Sequence, residues 1–409
     1  MKQYLPILFT FFLLTSCSSN RITIGEIEQV KSETLDELRD IWVHLPSSAK
    51  EPGNQNKKYP VLYLLDGDAH FYSVTGIIRQ LSSVNGNSIC PEMIVVGIPN
   101  TDRFRDLSPT HVDVIFGDST MAQSSGGGGR FLDFLEQELI PHIESKYPAS
   151  SYRTFVGHSP GGLMVVHALF NRPKLFHNYI DLDPSLWWDV QALLKTADAV
   201  LSQEELQNRT LYIGVANTMP KGMQLDELEE DVSEETMHIR SMLELAKTIE
   251  ADQESELTFA WKYYEDDDHG SVPLIAEYDA IRFLFPWYEF KELNQFFSPA
   301  SSAEDLVKAI NKHSEVVSTH YGYLVSPDED LVNSLGYRFM GGGMSEKSFA
   351  MFNLNILNYP KSSNVYDSMG DYYLSQANVE KAAEYFQKAM EVGKNPESKK
   401  KLKQLKSKK

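Results

Sequence analysis

Gly157-His158-Ser159-Pro160-Gly161 carries the clearest chemistry in this sequence. The spacing G-x-S-x-G suits a serine nucleophile at the apex of a sharp turn. Tyr152-Arg153-Thr154-Phe155-Val156 before it reads as a short apolar strand, and Gly162 to Ala168 after it as a buried helix. Such an elbow lifts a hydroxyl clear of the sheet, and its crowded flanks leave room only for glycine. The chemistry this implies is acyl transfer. A serine attacks a carbonyl carbon, a base takes its proton, an acid orients the base, and N–H donors hold the oxyanion.

The base belongs after the last strand, in the chain order serine, acid, histidine. Asp266-Asp267-Asp268-His269-Gly270-Ser271-Val272-Pro273 stands there, so His269 is the expected base. His158 is held in the elbow and cannot face Ser159. The acid is expected in the loop after Val215, with Asp231 favoured and Glu235 second, since both precede a helix at Met237. A serine–histidine pair without an acid is the alternative. Pro160 has no N–H to offer an oxyanion. The donor therefore passes to Gly161, or the hole depends more on the loop after Leu64-Leu65, where the Asp68 N–H is the second candidate. An uncompensated loss of one donor would slow the reaction roughly 10²–10³-fold.

These groups need a rigid frame. Tyr59–Leu65, Met93–Ile98, Tyr179–Leu182, Thr210–Val215 and Leu257–Tyr264 read as buried strands. Residues 22–35 and 38–45 read as a first hairpin. Helices are expected over Arg130–Tyr147, Asp189–Leu201 and Met237–Ile249. Alternation of this kind makes the fold class α/β, a mostly parallel sheet with helices on both faces. The chain has 409 residues, 42% of them hydrophobic, enough for a sizeable core. Its 38 Lys and Arg against 57 Asp and Glu leave a net charge of −19, which argues against a nucleic-acid partner. No metal-ligand spacing or phosphate-cradling loop is evident, and no cofactor is implied.

The two ends differ from this body. Lys2 followed by the apolar run Leu5–Leu14 reads as an export signal, too short to span a bilayer. Leu14-Thr15-Ser16-Cys17 resembles a bacterial lipobox, which would acylate Cys17 and make it the first mature residue. The expected protein is an exported lipoprotein of the cell envelope, touching the membrane only through that lipid. At the other end, Val332, Leu335, Gly336, Phe339, Ser348, Phe352 and Asn355 recur 34 residues later as Tyr366, Met369, Gly370, Tyr373, Ala382, Phe386 and Ala389. That period looks like tetratricopeptide repeats, whose stacked helices could engage a protein partner.

Several stretches together resemble the esterase D-like α/β-hydrolases, a family that includes siderophore esterases, feruloyl esterases and mycolyltransferases. They are Tyr63-Leu64-Leu65-Asp66-Gly67, Asn100 to Thr110, Gly157-His158-Ser159 with Gly161-Gly162, Pro184-Ser185-Leu186-Trp187-Trp188, and His269 to Pro273. The resemblance implies an α/β-hydrolase, with Ser159 and His269 in the catalytic roles and Asp68 in the oxyanion loop. Pro160 departs from the family pattern, as does Ala216-Asn217-Thr218, where relatives often carry acidic residues. The expected organisation is a signal over residues 1–17, an esterase domain over 18–292 and helical repeats over 300–409. Asp66, Arg103, Arg105, Trp187 and Trp188 are candidates to line the substrate cleft, gripping a carboxylate or stacking on a sugar or aryl group. The expected substrate is a small-molecule or glycan ester. Two alternatives stand beside ester hydrolysis: a binding protein weakened by Pro160, and an acyltransferase. If Cys17 carries the anchor, Cys17→Ala should move the protein from the membrane to the soluble fraction; full retention on membranes would refute lipidation.

Overall fold

The computed structural model of the chain describes residues 21–407 except positions 52, 53, 55, 56, 202, 203 and 253. The signal segment and Cys17 lie outside the described residues. No described helix is long and apolar enough to cross a membrane.

One eight-stranded sheet organises the body, in the order β1-β2-β4-β3-β5-β6-β7-β8. β1 (Glu26–Ser32) and β2 (Glu37–His44) form the expected antiparallel hairpin. β2 pairs antiparallel with β4 (Ile94–Ile98), and every later pairing is parallel. β3 (Tyr59–Leu65) and β4 are buried at every position, because parallel strands covered by helices on both faces have no wet side. β5 (Ala149–His158) lies between β3 and β6 (Asn178–Leu182); β7 (Thr210–Ala216) and β8 (Thr258–Tyr264) complete the edge. The carboxyl ends of β3, β5, β6, β7 and β8 therefore open side by side, which is where a doubly wound sheet places its site.

The segment expected as a helix over Asp189–Leu201 is not continuous. Asp189, Val190 and Gln191 have φ of 49°, 52° and 60°. This left-handed turn follows Trp188, whose buried indole donates to the Thr110 carbonyl at 3.1 Å. Short turns at Leu194–Thr196 and Ala197–Leu201 replace the single helix.

Beyond the sheet, helices run over Ala303–Tyr321, Glu329–Gly341, Ser345–Asn358, Ser363–Ser375, Val379–Gly393 and Pro396–Ser407. The first is rooted in the sheet body. Tyr321 lies 5.1 Å from the Tyr152 ring of β5, and His320 stacks on Trp287 at 4.2 Å. Lys57, just before β3, pairs with Asp328 at 2.9 Å. The next four helices form two pairs that share one contact. Gly336 meets Phe352 and Gly370 meets Phe386, both rings fully buried.

A β-carbon on Gly370 would lie 2.4 Å from a Phe386 ring carbon, with no slack around that ring. Gly370→Ala gains about 1 kcal/mol of helix propensity, but the overpacking costs typically 1–3 kcal/mol. Net destabilisation of the helical region is expected, measurable as an earlier unfolding transition by circular dichroism; an unchanged or later transition would contradict the contact.

Candidate active site

Ser159 stands between β5 and the elbow helix Pro160–Asn171, with φ 62° and ψ −120°. A non-glycine residue holds this conformation only where its surroundings over-determine it. Here the Ser159 N–H donates to the Leu182 carbonyl at 3.0 Å, and its own carbonyl accepts from Leu163 and Ser185 at 3.0 and 3.1 Å. The flanking glycines answer to close approach. A β-carbon on Gly157 would meet the Gly161 carbonyl oxygen at 2.3 Å, and one on Gly162 would meet Asp181 Oδ1 at 2.3 Å.

His269 is brought to this serine by the turn after β8. Its Nε2 lies 3.0 Å from Ser159 Oγ. The acids beside it build the turn: Asp268 Oδ1 accepts from the Gly270 and Ser271 amides, both at 2.9 Å, and Asp267 accepts from the Ser271 hydroxyl at 2.8 Å. His269 Nδ1 lies 2.5 Å from Asp183 Oδ2. Asp183 is fully buried and follows β6 directly, with φ 48°. Its Oδ1 accepts the Ala216 amide at 2.8 Å, while Oδ2 also meets His238 Nε2 at 2.9 Å. Burial pushes the Asp183 carboxyl up, but hydrogen bonds from His238 and His269 outweigh it and hold the group well below the usual carboxylate range.

Asp231 is therefore not the carboxylate beside His269. Its Oδ2 accepts from the hydroxyls of Ser233, at 2.8 Å, and Thr236, so it shapes the entry to the helix Met237–Ala251. The loop after β7 presents no carboxylate to the histidine. Asn217 instead ties that loop to the Glu265 and Asp267 carbonyls, at 3.0 and 2.8 Å. β6 is the immediate neighbour of β5, so a residue at its end reaches His269 over a shorter path.

Four of the five expected cleft residues are engaged inside the protein. Asp66, in a left-handed turn at φ 50°, takes a two-pronged contact from Arg103 at 2.6 and 2.9 Å and a third bond from Asn100 at 2.6 Å. Arg103 also donates to the His158 carbonyl at 3.2 Å, bracing the turn after β3 against the elbow. Arg105 grips Glu37 and Asp106, and Trp188 is core. Trp187 is half-buried and makes no such ion pair, its ring 5.3 Å from Phe116, which is 79% exposed. A β-carbon on Gly161 would come within 3.1 Å of Asp66 Oδ2. The first turn of the helix Gly67–Ser82, which carries Asp68, thus lies against the first turn of the elbow helix. Pro160 occupies the first position of the latter.

Histidines line the inner wall. The His158 ring lies 4.5 Å from His269 and 5.7 Å from His70. Burial, helped by His269, lowers His158 to about 4, so it stays neutral. His70 faces the buried Glu277 at 3.7 Å. Asp183, His238 and His269 bring ligand-type atoms within 4.8 Å of one another, a donor set that divalent metals also use. A cavity of about 480 Å³ between residues 22–26 and the helix Gly67–Ser82 contains none of these groups.

The esterase family model matches residues 32–269, more than half of the chain. The chain belongs to the esterase family. An IroE-like serine hydrolase from Shewanella oneidensis has a similar structure, 30% identical, with a TM-score of 0.67 over 81% of this chain and 98% of that one. The siderophore triacetylfusarinine C esterase of Aspergillus fumigatus is 28% identical over 151 residues, 36% of this chain and 52% of its own length. The ferri-bacillibactin esterase BesA of Bacillus subtilis is 29% identical over 212 residues, 49% of this chain and 72% of its own. The chain thus spans about half the length of the fungal relative.

Glu277 supplies a stability test. Burial raises its carboxyl to about 8, against a lowering from the Ser73 hydroxyl at 3.0 Å. The folded protein then holds a proton that the unfolded chain releases near pH 4.5, so stability is full below that pH and falls as pH rises towards about 8. Glu277→Gln should flatten this fall and gain on the order of a few kcal/mol near pH 8.5, read by denaturant unfolding. An equal fall in both proteins would refute a neutral Glu277.

Proposed function

We propose that this chain is a serine hydrolase that cleaves carboxylic esters of the siderophore type through an acyl-enzyme on Ser159. The observation that carries the reading is the line Ser159 Oγ, His269 Nε2, His269 Nδ1 and Asp183 Oδ2, with contacts of 3.0 and 2.5 Å. His269 takes the serine proton as Oγ attacks the ester carbon, and returns it to the departing alcohol. Water, deprotonated by the same imidazole, then releases the acid. Asp183 holds the histidine with Nδ1 as donor and Nε2 as acceptor. Amides at Asp68 and Gly161 receive the developing oxyanion, since Pro160 cannot.

The substrate class rests on the names of the relatives and on the exposed Phe116 ring beside the half-buried Trp187, whose faces suit a planar acyl group. A ferric tris-catecholate ester carries negative charge, and this body is acidic. That favours recognition through aromatic faces over a basic pocket. The two helix pairs with equivalent Gly–Phe contacts 34 residues apart support the tetratricopeptide-like reading of the tail and a protein partner there. One observation favours a second reading, a weakened binding protein: the missing amide at Pro160.

Hydrolysis of p-nitrophenyl acetate and butyrate separates the two. Ser159→Ala should abolish turnover and labelling by a fluorophosphonate. Asp183→Asn should lower kcat roughly 10²–10⁴-fold, while Asp231→Asn stays near the parent rate. No turnover and no labelling by the folded parent would favour the binding protein. Equal losses in the two Asp variants would undo the assignment of Asp183.

A further inference from the structure

Asp183 serves two imidazoles with one oxygen, and the second has no part in the reaction as written. His238 Nε2 lies 2.9 Å from the same Oδ2 that His269 Nδ1 meets at 2.5 Å, and the two rings are 5.4 Å apart. His238 sits in the first turn of the helix Met237–Ala251, and its Nδ1 is buried without a partner. An ionised carboxylate only accepts, so Nε2 must carry the proton. The helix is held against the substrate side: Gln191, in the left-handed turn after Trp188, donates to Ser241 Oγ at 2.8 Å.

We infer that His238 is a positioning residue for the catalytic pair: it fixes the Asp183 carboxylate and draws part of its basicity away from His269. The inference rests on the Ser159–His269–Asp183 reading above. The physical argument is one of shared acceptor strength. The Ala216 amide holds Oδ1, His238 and His269 divide Oδ2, and together these contacts fix the carboxylate plane. Without His238, the full pull of the carboxylate falls on His269, whose imidazolium form is then favoured, so that less of the neutral ring is available to take the serine proton on the acidic side. A carboxylate with one donor fewer can also rotate, which loosens the ring. The other titratable groups facing this cluster are His158 from the elbow, neutral and 4.5 Å from His269, and Asp181 from β6. Asp181 is fully buried, and burial together with the Asp183 charge keeps it protonated. Neither can replace the lost N–H.

The test compares His238→Ala, His238→Gln and His238→Asn in the full chain, with p-nitrophenyl butyrate across pH. In His238→Ala, kcat should fall about tenfold with KM within twofold. The acidic limb of kcat/KM should move up by roughly half a pH unit or more. Gln, whose amide reaches the place of Nε2, should restore most of both; Asn, one carbon shorter, should not. If the Ala variant does not fold, the Gln and Asn pair carries the comparison. A kcat and acidic limb unchanged by Ala, or Gln no better than Ala or Asn, would overturn the inference whatever the melting temperatures. So would activity lost to EDTA and restored by zinc, which would make the three residues a metal centre. Ser159→Ala reports on the underlying reading alone: turnover that survives it defeats that reading, while its loss leaves the His238 comparison to decide.

Discussion

A single negative charge out of reach of water sets the terms for this structure. Asp183 has no exposed surface, and an ionised carboxylate there is tolerable only if every lone pair with a neighbour finds a donor. The donors come from three separate places: the end of β7, the first turn of the helix Met237–Ala251 and the turn after β8. Satisfying one side chain therefore fixes the mutual placement of three loops, and the histidine that faces Ser159 is one of those donors. Asp181, two residues earlier and equally buried, has no hydrogen-bond partner and resolves the same problem by staying neutral. The pair shows two outcomes of one constraint, decided by the supply of N–H groups.

The elbow is held from the other side by a second buried charge. Asp66 is nearly enclosed, and its partners Asn100 and Arg103 come from the segment after β4. Arg103 then touches the His158 carbonyl, one residue before Ser159. Ser159 thus sits between two frames, each built on a buried carboxylate, one on the β3–β4 side and one on the β6–β8 side. This is the over-determination that a strained φ of 62° requires. It also explains why charged residues with the look of ligand-binding groups are turned inward.

Much of the scaffold could be read directly because its signals are local. β3 and β7 are continuous apolar runs, the hairpin shows its alternation, and the glycines around Ser159 mark a turn with no room. The helix Gly67–Ser82 opens with Asp66-Gly67-Asp68, whose composition is that of a strand exit and masks the helix start. Asp189–Leu201 has helical composition, and nothing in it signals a left-handed turn forced by the burial of Trp188. The carboxylate partner was harder still. Position after β7 and a wealth of acids point to Asp231, but Asp231 holds the Ser233 and Thr236 hydroxyls, Glu227 closes a capping box and Glu229 pairs with Lys247. Asp183 stood in plain sight beside Pro184-Ser185-Leu186-Trp187-Trp188. What brings it close is that β6 neighbours the strand leading to Ser159, which is a fact of topology. His238 had no local signal at all, lying among acids at a helix start. Its role appears only when three elements meet.

β5 has two ends, and they face different neighbours. Ser159 follows its carboxyl end, while Tyr152 near its beginning packs against Tyr321 of the first helix of the tail. Seven residues of extended chain separate them by roughly 20 Å. Lys57, which grips Asp328, also precedes its strand. Both anchors of the helical tail thus lie at the end of the sheet opposite Ser159. Anything that grips the body through those anchors meets it at the pole away from Ser159, and the two ends of one strand keep the two surfaces apart.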